Sequence, residues 1–156
     1  MIDTQIWIYS KKIPTKERFE SEVLFDKTMK LHLKAMNFFQ KLPSETIFYF
    51  SSQQIGELFH SLAFRGLKIP LEDTKKFIFN LIKSDNVKII PYSKLDLEKA
   101  INLSTRSNIH VWDYLCVIPL ISHVSKIYTI DEHFKDKTFS EFGISIKNPL
   151  TNWETI

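Results

Sequence analysis

Asp113 lies in the run Val111-Trp112-Asp113-Tyr114-Leu115-Cys116-Val117-Ile118, a helical pattern apolar on nearly every side. A carboxylate carried into such surroundings is costly unless an ion pair, hydrogen bonds or a metal receives it. The bland reading is an acid of the first helical turn, satisfied by nearby backbone amides. A catalytic or metal-binding role accounts better for the apolar neighbours on both sides.

Two further acids stand just past predicted strands, where open α/β sheets gather their ligands. Asp3 closes Met1-Ile2-Asp3, and Asp131 follows the strand-like run at 126–130. Either could equally be a helix N-cap, since Asp accepts backbone N–H bonds there. Glu132 and Asp136 compete with Asp131, but only Asp131 abuts the strand. Glu57 is the weakest by pattern: a helical wheel puts Ile55, Phe59 and Leu62 on one stripe and Glu57 opposite. That position suits a solvated acid, or one facing an open cleft in which Gly56 leaves room for a ligand.

These acids must be positioned by the surrounding elements. The pattern predicts a short strand at 1–3, a helical turn through Tyr9, and a long helix over 20–42 with Leu24, Leu31, Met36, Phe39 and Leu42 at helical spacing. The β-prone "TIFYF" at 46–50 runs into a Ser-capped helix, "SSQQIGELFHSLAF". Helices over 71–83 and 94–104 flank the strand "VKIIP". "HVWDYLCVIPLI" reads as a buried helix, "KIYTI" and "GISIK" as the last strands. Pro14, Pro43, Pro70, Pro91 and Pro149 fall where periodic segments end. Strands alternating with helices predict a three-layer α/β/α domain with a mostly parallel central sheet, spanning 1–156 as one unit.

Composition narrows the chemistry. With 156 residues, 44% hydrophobic and 25% charged, the chain can bury a core and is neither disordered nor collagen-like. Three glycines, Gly56, Gly66 and Gly143, leave no glycine-rich loop for a nucleotide phosphate, and neither HExxH nor paired cysteines are present. Cys116, the one cysteine, excludes an internal disulfide and reads as a small buried apolar residue. A net charge of +3 permits polyanion binding without requiring it. Asp3, Lys11 and Lys12 break any secretory pattern, and the apolar run at 114–121 is too short to span a bilayer. The expectation is a soluble, cytoplasmic protein.

Taken together, "MIDTQIWIY", "SSQQIGEL", "HVWDYLCVIPLI" and "YTIDEHF", in this order over almost the whole chain, resemble the PIN-domain family. The likeness is closest to the toxin nucleases of VapBC-type toxin–antitoxin pairs. That family has Asp-Thr or Asp-Ser after the first strand, a Glu on the helix after the second, an Asp opening a late apolar helix, and an Asp after the next strand. Those fall on Asp3, Glu57, Asp113 and Asp131. The chain departs from the pattern at Gln5, where Asn or Ser is common, and starts two residues before Asp3, so the first strand is short or begins upstream. Pro119 should kink the late helix and shift Asp113.

The resemblance implies a metal-dependent endoribonuclease. Clustered carboxylates repel one another unless a cation neutralises them, and oxygen-only ligands suit Mg²⁺ or Mn²⁺. Asp3, Asp113 and Asp131 would hold the ion, Glu57 would position water or help hold a second ion, and Thr4 and Thr129 would orient carboxylates. His32, His60, His110, His123 and His133 are scattered and read as surface or capping residues, so no zinc site competes. Lys11, Lys12, Arg65, Lys68 and Arg106 could contact an RNA backbone, though each is individually read as solvated surface.

The alternative is a degenerate PIN-like domain that binds RNA or a partner without cutting, for which Gln5 and Pro119 are the motives. A phosphoacceptor receiver domain would want an acid pair at its first strand, where this chain has Asp3 alone. The toxin likeness also implies an antitoxin peptide in the cleft, with Phe38 and Phe39 of the long early helix as candidate docking surface, and possible homodimers.

Overall fold

Parallel strands cannot be joined by tight turns, so each crossover must carry a helix or a long connection. The computed structural model, which describes residues 1–154, is built this way. After α1 (Thr4–Lys11) and a 3₁₀ turn (Lys16–Arg18) come α2 (Glu22–Gln40), β1 (Phe48–Ser51), α3 (Ser52–Phe64), α4 (Leu71–Lys83) and β2 (Val87–Ile90). The second half holds α5 (Lys94–Ser107), α6 (Val111–Val117), a 3₁₀ turn (Ile118–Leu120), β3 (Lys126–Tyr128), a 3₁₀ turn (Glu132–Lys135), α7 (Lys137–Ser140) and β4 (Ser145–Lys147). β1 pairs with β2, and β3 with β4, both in parallel.

The predicted first strand is the main departure. It contracts to one parallel bridge, Ile2 to Tyr128, with Asp3 N–H donating to the Tyr128 carbonyl at 2.8 Å and Tyr128 N–H to the Met1 carbonyl at 3.0 Å. Helix α1 begins at Thr4, which ends the extended backbone at once. The Ile2 carbonyl, instead of joining a second ladder, accepts the buried side-chain amide of Gln54 at 2.7 Å. The sheet therefore comprises two two-stranded ladders rather than one continuous sheet.

Local chemistry explains most boundaries. β1 runs directly into α3 because Ser51 caps it, its hydroxyl accepting Gln54 N–H at 3.1 Å. Ser93 and Asp96 form a capping box at the start of α5, which closes on Asn108 in the left-handed conformation, φ 60°. Pro119 does not kink a long helix; α6 has already given way to the 3₁₀ turn that contains it.

Two apolar clusters result. The first gathers Ile6, Trp7, Leu31, Phe50, Leu58 and Leu62 from α1, α2, β1 and α3. Rings of Phe39, Phe48, Phe50 and Phe77 surround Trp7 at centroid distances of 4.4 to 6.4 Å. The second gathers Leu103, Tyr114, Leu115, Val117, Ile127 and Phe139 from α5, α6, β3 and α7. Phe38 and Phe39 belong against the first cluster, packed on Tyr128 and Trp7, which corrects their reading as docking surface. Among the described residues no helix is long and apolar enough to cross a membrane.

Candidate active site

Asp3 ends the bridge to Tyr128, Glu57 projects from α3, Asp113 stands in the first turn of α6, and Asp131 follows β3. All four line one cleft of about 520 Å³, with Gln5, Gly56, His60, Arg65, His110 and Trp112 also on its walls. Gly56 keeps the α3 wall bare: a Cβ there would meet nothing within 4 Å.

The bland readings fare differently at each acid. Asp3 occupies the N-cap of α1 but makes no capping bond; its carboxylate accepts the Thr129 hydroxyl at 2.7 Å. Asp131 does cap, accepting His133 N–H at 2.9 Å. Among the described residues nothing hydrogen-bonds the Asp113 carboxylate, so its expected amide partners are absent. Glu57 is no solvated acid: half-buried, it accepts the Thr4 hydroxyl at 3.0 Å and the Cys116 thiol at 3.5 Å. Thr4 thus serves Glu57 rather than Asp3, because it opens α1 facing α3. Thr129 links two acids, since its oxygen also accepts Asp131 N–H at 3.0 Å.

The electrostatics follow from burial and crowding. Burial pushes the Asp3 carboxyl up to about 7; the Thr129 hydroxyl pulls it down, and the charges of Glu57, Asp131 and Asp113 push it up further. Burial, then Asp131 and Glu57, push Asp113 up to about 7. Burial also raises Asp131, against the lowering effect of His133. Burial and the charge of Glu57 hold the Cys116 thiol well above its ordinary value, so it stays protonated. Among the described residues no lysine or arginine lies within ion-pair distance of Asp3, Glu57, Asp113 or Asp131.

Such a group fits a divalent cation. Ligand atoms of Asp113, Asp131 and His133 lie within 4.8 Å of one another. His133 is the residue that sequence reasoning missed, having been read as a surface or capping histidine. Its signal was the spacing Asp131-Glu132-His133: an Asp that caps a turn draws the residue two places on against its carboxylate. Asp3 and Glu57 share the cleft without belonging to that closest group. His60 and His110 also line the cleft, His32 binds the Tyr9 carbonyl at 2.7 Å, and His123 stacks on Tyr49.

Of the basic residues proposed for RNA, Arg65 alone lines the cleft. Lys12 donates to the Ser61 and Arg65 carbonyls at the end of α3, Lys11 lies over the Phe77 ring and Arg106 pairs with Glu141. Another element unforeseen in the sequence supports Asp131. Glu154 N–H donates to the Ile130 carbonyl at 2.8 Å and Glu132 N–H to the Glu154 carbonyl at 3.0 Å, laying the segment beside Asp131. Lys27 and Lys34 of α2 fasten it through Glu154 and the Leu150 carbonyl.

The chain has an α/β, PIN-like fold, with acids from four separate elements at one opening. The solved structure of FitAB bound to an IR36 DNA fragment is similar, with a TM-score of 0.55 over 98% of this chain and 96% of that chain. Identity is 11%, so the likeness is one of fold. No protein-family description and no curated protein matches the sequence.

Proposed function

We propose that the chain is a metal-dependent endoribonuclease of the toxin type, cutting RNA phosphodiester bonds at the acidic cleft. The observation that carries this is the convergence of Asp3, Glu57, Asp113 and Asp131 on one opening with no lysine or arginine paired to them among the described residues. Carboxylates from four elements with no lysine or arginine partner are expensive to keep together, and a divalent cation is the ordinary remedy.

Bound there, Mg²⁺ or Mn²⁺ supplies charge that screens the phosphodiester and acidifies an attacking water. Asp113 and Asp131 are the nearest acidic ligands, and Asp3, held by Thr129, adds a third negative group. Glu57, oriented by Thr4, is the group to accept a proton from water. Arg65 on the cleft wall is placed to contact a substrate phosphate. RNA rather than DNA is taken from the family resemblance, and cytoplasmic location follows from such a substrate.

An antitoxin is the expected partner. A groove of about 850 Å³, walled by Ile8, Tyr9, Phe19 and Leu24, shares Gln5, Glu57 and Arg65 with the cleft, and a bound peptide there would reach the acids. The test is cleavage of mixed structured and single-stranded RNA, beside a DNA pool, with Mg²⁺, Mn²⁺ or EDTA and with Asp113→Asn. Cutting that needs metal and is lost in the variant supports the nuclease. Folded, inert protein that still binds RNA would favour the degenerate domain instead.

A further inference from the structure

We propose that His133 is itself a metal ligand, giving the cleft a mixed nitrogen and oxygen donor set that selects Mn²⁺ over Mg²⁺. The inference rests on reading the cleft as a metal centre and adds a ligand and a metal preference to it.

The placement of His133 comes from the turn that Asp131 caps. Asp131 Oδ1 accepts the backbone N–H of His133 at 2.9 Å, which fixes the residue over the carboxylate, and its ring Nδ1 lies 3.4 Å from the same oxygen. The ring thus already faces the carboxylate, and against the burial that raises the Asp131 pKa its hydrogen bond and charge lower it, at a spacing near the long end of hydrogen bonding. That spacing is also natural for two ligands of one ion, since donors about 2.1 Å from a cation sit roughly 3 to 4.2 Å from each other.

Asp113, which with Asp131 lines the cleft, completes the group, all three ligand atoms lying within 4.8 Å of one another. The His133 side chain is 32% exposed while that of Asp131 is 8% exposed, so the ring retains freedom to turn and the carboxylate is held. Asp113 has no hydrogen-bond partner among the described residues that a bound ion would have to displace.

The choice of metal follows from the donor chemistry. Mg²⁺ prefers oxygen ligands in near-ideal octahedral geometry and gives up water reluctantly, whereas imidazole suits the first-row transition metals. Replacing one oxygen by a neutral ring nitrogen therefore costs Mg²⁺ more than Mn²⁺. Asp3 and Glu57, outside the closest group, remain oxygen neighbours that add negative charge without altering that discrimination.

The experiment is titration of the purified full chain with Mn²⁺ and with Mg²⁺, comparing wild type, His133→Asn and His133→Gln. Free Mn²⁺ is followed by electron paramagnetic resonance, and the bound ion by its coupling to ¹⁴N. The expected result is Mn²⁺ binding tenfold or more tighter than Mg²⁺ in wild type, with imidazole nitrogen coupling. Both variants should lose the coupling and at least tenfold in Mn²⁺ affinity, with Mg²⁺ affinity nearly unchanged. Two variants guard against one that fails to fold, as checked by circular dichroism. Unchanged Mn²⁺ affinity and no nitrogen coupling in wild type would overturn the inference and leave His133 as the ion-pair partner of Asp131; absence of any divalent binding would overturn it too. Because no RNA enters the titration, a wild-type protein that binds Mn²⁺ through nitrogen yet cuts nothing would sink the nuclease reading alone. Metal-dependent cutting with indifferent His133 variants would sink only this one.

Discussion

The hydroxyl of Thr129 donates to Asp3 and accepts from the backbone of Asp131, so one buried side chain sets the spacing of two site acids. Thr129→Val keeps the shape and removes both bonds. The expected cost is about 1 to 3 kcal/mol of stability by chemical denaturation, with Thr129→Ser recovering most of it. Divalent-metal affinity should fall about 10- to 100-fold by calorimetric titration, as when an orienting partner of a ligand is lost. A second prediction concerns protons. Asp3 and Asp113 keep theirs up to about 7 in the folded chain, while their ordinary value is 3.8. The folded state thus binds more protons than the unfolded one across that window. The stability these groups contribute is full below about pH 4 and lost as pH rises through 7. Thermal melts in EDTA should show a higher Tm at pH 5 than at pH 8, and saturating Mn²⁺ should narrow the gap; a gap that metal leaves untouched would argue against ion binding at these acids. At this scale the sequence was informative about acids and poor about their partners. Asp113 announced itself by its apolar neighbours, but nothing in one dimension distinguishes Thr4 bonding Glu57 from Thr4 bonding Asp3, because that depends on how α1 faces α3.

Element boundaries were legible where local chemistry set them and illegible where tertiary contacts did. The helix predicted over 71–83 is α4 (Leu71–Lys83), with Pro70 at its cap, and "VKIIP" yields β2. The predicted short first strand is present only as the parallel bridge of Ile2 to Tyr128, and a side chain, Gln54, takes the carbonyl on its other side. Gln54→Leu should therefore loosen the segment carrying Asp3. Hydrogen exchange at the Asp3 and Tyr128 amides should quicken while α4 and α5 stay protected; uniform acceleration would mean the whole fold had weakened instead. Helix α3 offers a contrasting pair. Gly56→Ala has open space for its methyl and removes glycine's helical penalty, so stability should rise by about 0.5 to 1 kcal/mol. Gly56→Phe should keep the fold yet fill the cleft, lowering RNA cleavage at least tenfold in a gel assay.

Across the whole molecule, the acids divide between the two apolar clusters. Asp3 and Glu57 are carried by elements of the first and Asp113 by α6 of the second, while Asp131 stands between Ile130 of the first and Phe134 of the second. Alternating strands and helices indicated the class of fold, but no periodicity shows that its buried residues form two clusters or that acids from both meet at one cleft. The exposed Pro91-Tyr92-Ser93 connection between β2 and α5 separates residues 1–92, with Asp3 and Glu57, from 93–156, with Asp113 and Asp131. Seen as an engineering part, the protein has a natural place to be divided into two inert halves. Fused to a pair of domains that associate on command, the halves should recover the proposed RNA cleavage only after reunion, making that activity a reporter of proximity.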